Sequence, residues 1–264
     1  MPELPEVETI RLQLERALKG RKIQDIKILS VKSFGGDKKK ALGIRILGTR
    51  RFGKVLVIDL NNGYSLLIHL KLTGQLLVDG EVGLHTRVII KLDKGRLIFN
   101  DLRNFGWIKI AKSEEVAADR LISKLGPEPL KDLTMVKFRD ILSKTARPVK
   151  IVIMDQEKIS GVGNIYANDA LWLARVDPRK PARQLDGETV GRLYKAVLTV
   201  LKAGLKFGGA SDQHYIKPDG TKGEYQDHFL IYGREGKPCT KCGGKIQKFF
   251  LGGRGTYFCP NCQK

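Results

Sequence analysis

The feature that most constrains this chain is the placement of its four cysteines. Cys239, Cys242, Cys259 and Cys262 read Cys-x2-Cys-x16-Cys-x2-Cys and all lie in the last 26 residues. Two such knuckles place four thiolates around one tetrahedral ion, the zinc-ribbon pattern. Four protein ligands leave no open position for water, so the pattern predicts one structural Zn²⁺. Two disulfides are the alternative. The knuckle spacing and the absence of a basic-then-apolar leader argue against them. Between Lys237 and Lys264 there are six Lys/Arg and no Asp/Glu. Four thiolates and a divalent ion sum to about −2, so the module keeps roughly +4. A small, metal-stapled, cationic hairpin suits a polyanion.

The rest of the chain carries the same bias. There are 48 Lys+Arg against 28 Asp+Glu, a formal charge of +20, spread over the whole length. Such a balance points to nucleic acid or an anionic membrane surface. No apolar run approaches the ~18 residues a membrane span needs. Nucleic acid leads, no membrane is expected, and the location expected is cytoplasmic, at the nucleoid through DNA. With 264 residues and 42% hydrophobic content, the chain can bury a core in more than one domain.

The opening, Met1-Pro2-Glu3-Leu4-Pro5-Glu6-Val7-Glu8, carries candidate chemistry. Removal of Met1 leaves a secondary amine. An α-amino group titrates near ~7.7–8.0, so much of it is uncharged at neutral pH. Uncharged amines attack carbonyl-level carbons and form imines. Glu3 and Glu6 are close enough in sequence to hold that amine or exchange protons with it. The bland alternative is an ordinary second residue ahead of an acidic first helical turn. Pro5 fits such a turn, and Val7, Ile10, Leu14 and Leu18 recur at helical spacing up to Gly20.

Eight short strands are predicted between residues 22 and 110: 22–29, 42–47, 54–60, 64–70, 75–78, 87–92, 96–99 and 107–110. Turn signals such as Asn61-Asn62-Gly63 and Asp93-Lys94-Gly95 separate them. This spacing indicates a sandwich or barrel. A helix is expected over 113–125. Gly126-Pro127-Glu128-Pro129 then marks a domain boundary. Beyond it the period becomes helical over 133–143, 148–155, 165–175 and 187–205. The expected organisation is 1–125, 126–227 and 228–264, with 208–227 as a lid or linker. The fold class is multi-domain α+β.

Several segments between elements are candidates for binding. Lys38-Lys39-Lys40 reads as a solvated loop. His69-Leu70-Lys71-Leu72-Thr73-Gly74 puts polar groups where a strand passes into a turn. Asp101-Leu102-Arg103-Asn104-Phe105-Gly106 offers a cation and an aromatic two residues apart. Such a pair can enter a duplex, Arg bonding an orphaned base and Phe or Leu wedging between bases. A core Phe beside a surface Arg is the plain alternative. Ser160-Gly161-Val162-Gly163-Asn164 precedes a helix N-terminus, which suits a phosphate. No strand precedes it, so it is no dinucleotide site.

Taken together and in order, these motifs resemble the bacterial formamidopyrimidine-DNA glycosylase family over essentially the full length. The matching residues are Pro2 to Thr9, Lys54 after Arg50-Arg51, His69-Leu70 with Gly74, and Asp101 to Gly106. Met154-Asp155 with Lys158, Gly161 to Asn168, Tyr232-Gly233-Arg234 and the ribbon with Arg254-Gly255-Thr256 continue the series. The resemblance implies an N-terminal β-sandwich with a leading helix, a helix–two-turns–helix domain and a four-cysteine zinc finger. It implies excision of oxidised purines from damaged double-stranded DNA by a monomer, then strand cleavage, with no redox or organic cofactor. Pro2 is the implied nucleophile, Glu3 the proton donor and Glu6 the support of the amine. Lys54 and Arg254 are implied at phosphates flanking the lesion. Leu72, Arg103 and Phe105 are implied to fill the gap left by the flipped base. His69, His85, Lys150, Asn164 and Tyr232 are implied backbone contacts, with Lys158 near the lesion and 208–227 over the flipped base. The chain departs from the family at Leu72, where a wedge methionine is common, at Asn104 beside Arg103, and at Arg87 after His85. An endonuclease VIII-type enzyme for oxidised pyrimidines and a non-catalytic DNA-binding relative are the competing readings.

Overall fold

The computed structural model describes all 264 residues, Met1–Lys264. Two compact units emerge: Met1–Ser123 with Gly204–Gln226, and Lys124–Ala203 with Asp227–Lys264. Residues 204–226 return to the N-terminal unit, and the cysteine-rich end groups with the helices.

The first unit begins with helix α1 (Leu4–Leu18), which buries Leu4, Val7, Ile10, Leu14 and Leu18. That i, i+3, i+4 recurrence makes one apolar stripe. The helix closes the space between two sheets. Their strands are β1 (Ile23–Ile28), β2 (Phe34–Gly35), β3 (Ile46–Phe52), β4 (Val55–Leu60), β5 (Tyr64–His69), β6 (Gly74–Val78), β7 (Thr86–Leu92), β8 (Arg96–Asp101) and β9 (Trp107–Lys112). One sheet runs β1-β7-β8-β6 and the other β2-β9-β5-β4-β3. Their inner faces share one core with α1, including Leu56, Ile58, Leu66, Ile68, Leu76, Val88, Ile90 and Phe99. Burial of each such side chain contributes about 1.5–3 kcal/mol.

Strand β4 is apolar on both faces because both are covered. Leu56, Ile58 and Leu60 point into the main core. Val55, Val57 and Leu67 pack outward against Val116 and Ile122. The cover is not the helix expected over 113–125. It is a 3-10 turn, Ser113–Ala118, that breaks at Asp119. The anchors Val116 and Ile122 are six residues apart, which one helical face cannot present to the same surface. The chain bends instead, and the Asp119 carboxylate accepts from Leu121 N at 2.9 Å and from Lys109 Nζ at 3.0 Å. The strand expected at 42–47 begins only at Ile46, because 38–44 is tied into turns on β1, Gly43 N donating to Ile23 O at 2.7 Å.

The second unit holds α2 (Met135–Ser143), α3 (Val149–Met154), α4 (Asn164–Leu173) and α5 (Gly187–Lys206), whose last turn counts with the first unit. Thr134 caps α2 by accepting from Lys137 N at 3.2 Å. Two turns join α3 to α4. Asp155 O accepts from Lys158 and Ile159, and the Gln156 amide bonds Gly161 N and Val162 O. The antiparallel hairpin β10 (Gln247–Leu251) and β11 (Arg254–Phe258) packs on α4. No helix is long and apolar enough to cross a membrane.

Candidate active site and nucleic-acid interface

Pro2, Glu3 and Glu6 are all buried at the start of α1. Glu3 is the N-cap and Glu6 the third helical residue, and the two form a reciprocal capping box. Glu6 Oε2 accepts from Glu3 N at 2.7 Å. Its Oε1 accepts from Ala210 N at 2.8 Å, more than two hundred residues along the chain. One carboxylate therefore fixes both the N-terminus and the root of the 208–226 segment.

That segment is built to meet Glu6. Gly209 has φ +85°, and a Cβ there would lie 2.8 Å from Glu6 Cγ, 2.9 Å from its Oε1 and 2.9 Å from the Tyr215 ring. Glycine satisfies both the left-handed backbone and the close approach. The Tyr215 hydroxyl donates to Gly208 O at 3.0 Å. Burial, then the Glu6 charge, pushes that phenol well above its ordinary pKa. Val78 N donates to Pro218 O at 2.9 Å and Gln13 Nε2 to Asp219 Oδ2 at 2.8 Å. Residues 208–226 are thus hydrogen-bonded to α1 and β6 of the same unit.

Lys54 is buried in the turn between β3 and β4. His69, at the end of β5, is pushed down to about 3, first by burial and then by the charges of Lys71 and Lys54. It is neutral at physiological pH. Its Nδ1 accepts from Lys71 N at 3.0 Å, so the ring proton sits on Nε2. A neutral imidazole with Nε2–H can donate to a phosphate oxygen without adding charge.

Two turns beyond β5 and β8 carry the proposed gap-fillers. Lys71 (φ 52°) and Asn104 (φ 55°) are left-handed. Leu72 is half-buried, whereas Arg103 and Phe105 are exposed and the guanidinium lies 4.9 Å from the ring centroid. Asn104 suits its left-handed position, and its Oδ1 accepts from Ser30 and Ser33 hydroxyls at 3.1 and 2.7 Å. The departure at 104 is therefore local anchoring. Arg87 likewise bonds Asp101 O through Nε at 2.8 Å, while His85 is exposed.

In the second unit, Arg254 is exposed at the tip of the β10–β11 hairpin, and Lys158 is exposed between α3 and α4. Lys150 is the second residue of α3. It is fully buried, its Nζ donating to Gly255 O at 3.0 Å and Thr256 Oγ1 at 2.7 Å. Its side chain is thus tied to the turn of the hairpin from within the protein. Asn164 Nδ2 also donates to Gly255 O, at 3.1 Å, and Asn168 Oδ1 accepts from Tyr257 N at 2.8 Å. The carbonyl of the residue after Arg254 thus accepts from three side chains, Lys150, Asn164 and, at 3.5 Å, Asn168. Tyr232 stacks edge-on to Tyr257, with its N and that of Ile231 donating to Asp169 Oδ1. Asn168, Thr256 and Asp169 were not singled out as sites by the sequence reading. Asn168 and Thr256 lay within the motifs that carry the family resemblance, whereas Asp169 showed only as a polar residue in a largely apolar helix.

The cysteine sulfurs all lie within 4.8 Å of one another. The Cys239–Cys262 and Cys242–Cys259 separations are 3.9 and 3.5 Å. Tetrahedral zinc with ~2.3 Å bonds has sulfur–sulfur edges near ~3.8 Å, whereas a disulfide requires ~2.05 Å. Trp172 packs on this cluster, and its buried indole N–H has no hydrogen-bond partner. A thiolate cage around zinc supplies negative charge beside that donor. The four cysteines fit one structural Zn²⁺.

Pro2 is buried at the chain start, while Arg103 and Phe105 project from the surface. The exposed Arg103–Phe105 pair is suited to occupying a base stack, which is the habit of enzymes that act on a base taken out of duplex DNA. Comparison with known proteins is specific. Residues 1–108 match the formamidopyrimidine-DNA glycosylase N-terminal domain, 125–215 its H2TH domain, and 236–264 the zinc finger found in FPG and IleRS. A formamidopyrimidine-DNA glycosylase of Pelotomaculum thermopropionicum is 39% identical, covering 100% of this chain and 99% of its own length. The MutM (Fpg) crystal structure from Thermus thermophilus superposes with TM-score 0.93 at 40% identity, over 99% and 98% of the two chains. Lactococcus lactis Fpg in complex with DNA containing an abasic site gives TM-score 0.94 at 34% identity, over 99% of each chain. The chain belongs to the formamidopyrimidine-DNA glycosylase family.

Proposed function

We propose that the protein is a base-excision-repair DNA glycosylase and AP lyase. Its substrates are oxidised purines, 8-oxoguanine and formamidopyrimidines, in double-stranded DNA. The observation that carries the mechanism is the Glu6 carboxylate joining the N-terminus to the ordered arm at Ala210. The arm covers the flipped base, and the same anion holds the first turn from which Pro2 acts. Leu72, Arg103 and Phe105 fill the vacated stack, at a cost of a few kcal/mol that is least for a damaged base.

The Pro2 nitrogen bonds to C1′ as the glycosidic bond breaks and the base leaves with the electron pair. Glu3 protonates the ring oxygen O4′, the sugar opens, and an iminium joins Pro2 to C1′. The iminium withdraws electrons and acidifies C2′–H. Loss of that proton expels the 3′ phosphate, and a second elimination expels the 5′ phosphate. Lys54 and Arg254 steady the phosphates either side of the lesion. His69, His85, Asn164, Tyr232 and Lys158 add contacts that position the duplex and make binding salt-sensitive. The protein acts as a monomer in the cytoplasm, with zinc as its structural ion and no redox or organic cofactor. The nucleophile exists only after Met1 is removed, since the Pro2 nitrogen is otherwise an amide.

Borohydride trapping tests this reading. Processed protein on an 8-oxoguanine:C duplex should give a covalent protein–DNA adduct, and Pro2→Gly should lose it. A processed chain that never traps refutes the enzyme, and a Pro2→Gly variant that traps equally well refutes the nucleophile. Preferential excision of thymine glycol over 8-oxoguanine would favour the endonuclease VIII-type reading.

A further inference from the structure

We propose that Asp101 is a positioning residue that locks the DNA-probing side chains of the first unit into one preformed wedge. The inference rests on the glycosylase reading above. Asp101 is fully buried at the end of β8, opposite Gly74 at the start of β6. Its side chain bonds two turns at once. Oδ1 accepts from the Thr73 hydroxyl and from Arg103 N at 3.2 Å. Oδ2 accepts from Phe105 N at 2.7 Å and Gly106 N at 2.6 Å. Arg103 N also reaches Thr73 Oγ1 at 3.0 Å, which closes the ring of bonds between the turns.

The backbone of Asp101 binds a third segment. Its N donates to His85 O at 2.9 Å, and its O accepts from Arg87 Nε at 2.8 Å. Leu72, His85, Arg103 and Phe105 thus each lie on, or next to, a residue bonded to Asp101. The exposed members would otherwise be on mobile turns, and a wedge held loosely loses its orientation before it meets a base pair. A carboxylate suits this position because it offers acceptors only, and every group around it is a donor. An amide of the same shape must turn an NH₂ toward one pair of those donors. The left-handed backbone at Lys71 and Asn104 shows how tightly both turns are wound around this point.

The role predicts a defect specific to substrates with a base stack to enter. Asp101→Asn is compared with wild type on an 8-oxoguanine:C duplex, an 8-oxoguanine:A duplex and a single-stranded abasic oligonucleotide. Trapping and cleavage are read in each case. On the duplex, kcat/KM should fall at least about ten-fold further than on the single strand, and discrimination between C and A should shrink. Thr73→Val removes one donor to the same carboxylate and should give the same pattern more weakly, so a poorly folding Asp101→Asn leaves the idea testable. Equal loss on duplex and single strand in both variants would mean a merely structural residue and overturn the proposal. So would unchanged duplex processing and C/A discrimination in a folded Asp101→Asn. Wild-type trapping on the 8-oxoguanine:C duplex separates this failure from that of the function: if wild type never traps there, the glycosylase reading falls and takes the wedge with it.

Discussion

Replacing Glu6 by Gln keeps the size of the side chain and removes its charge. The carboxylate accepts two buried backbone N–H groups, Glu3 N at 2.7 Å and Ala210 N at 2.8 Å. A hydrogen bond to a charged group contributes about 1.5–3 kcal/mol, and a buried donor left unpaired costs about 1–3 kcal/mol. The amide retains one oxygen, so one bond survives in weaker, neutral form. Its NH₂ must face the other donor, which loses its partner. The combined penalty is roughly 2–4 kcal/mol for the state in which N-terminus and arm are both in place. At about 1.4 kcal/mol per decade, that state becomes some 30- to 1000-fold rarer. Single-turnover excision from an 8-oxoguanine:C duplex should slow by a factor in that range. Thermal stability should fall less, because the arm can detach while the sandwich core stays folded. Asp at position 6 shortens the reach and should lose both bonds. Excision by Glu6→Gln within about three-fold of wild type would refute the bridge, since three-fold corresponds to well under 1 kcal/mol.

Three further outcomes follow from the same geometry. Gly209→Ala places a Cβ 2.8–2.9 Å from Glu6 and Tyr215 in a left-handed backbone, which costs about 1–2 kcal/mol in conformation alone. It should slow base excision more than cleavage of a preformed abasic site, measured side by side on matched duplexes. Chelation should release one zinc per chain, change the fluorescence of Trp172, and abolish duplex binding in a gel-shift assay; full binding by the metal-free chain would refute the structural role. For His69 the sign is fixed by a folded pKa depressed to about 3. Its neutral-state contribution is complete above the unfolded pKa of about 6.5 and is lost as pH falls toward 3. The slope is about 1.4 kcal/mol per pH unit, with an upper bound of roughly 4–5 kcal/mol. His69→Asn keeps an acceptor for Lys71 N and has no titration, so melts at pH 8 and pH 4.5 should differ less in the variant than in wild type.

Much of the fold was legible because it rests on local rules. Apolar recurrence placed α1 and α5, and alternation with turn signals placed most strands of the sandwich. The cysteine knuckles declared their own geometry. What was not legible depends on partners distant in sequence. Nothing near residue 113 says that Val116 and Ile122 must both reach the outer face of β4, which is what bends a helical-looking segment at Asp119. Nothing near residue 210 says that its N–H meets a carboxylate at position 6. Lys150 illustrates the same limit at the site. The family resemblance implies a backbone contact there, and only the fold shows its side chain buried against Gly255 and Thr256.

The long-range bonds share a pattern. In the first unit, a buried carboxylate collects donors from segments that are remote along the chain, Glu6 at the N-terminus and Asp101 at the wedge. In the second, the side chains of Lys150 and Asn164 converge on the Gly255 carbonyl beside Arg254. At Asp101 and at Gly255 the anchored residue lies beside an exposed one, Arg103 or Phe105 in the first unit and Arg254 in the second. Arg103, Phe105 and Arg254 are exposed, so solvent alone gives them no fixed geometry. A buried charge left without a partner is costly. The same cost, met by several donors at once, penalises any displacement of the turn it anchors. A basic surface secures binding to any duplex. The separation of exposed contact from buried anchor is what can turn that binding into recognition, because a preformed wedge pays no ordering entropy when it enters a stack.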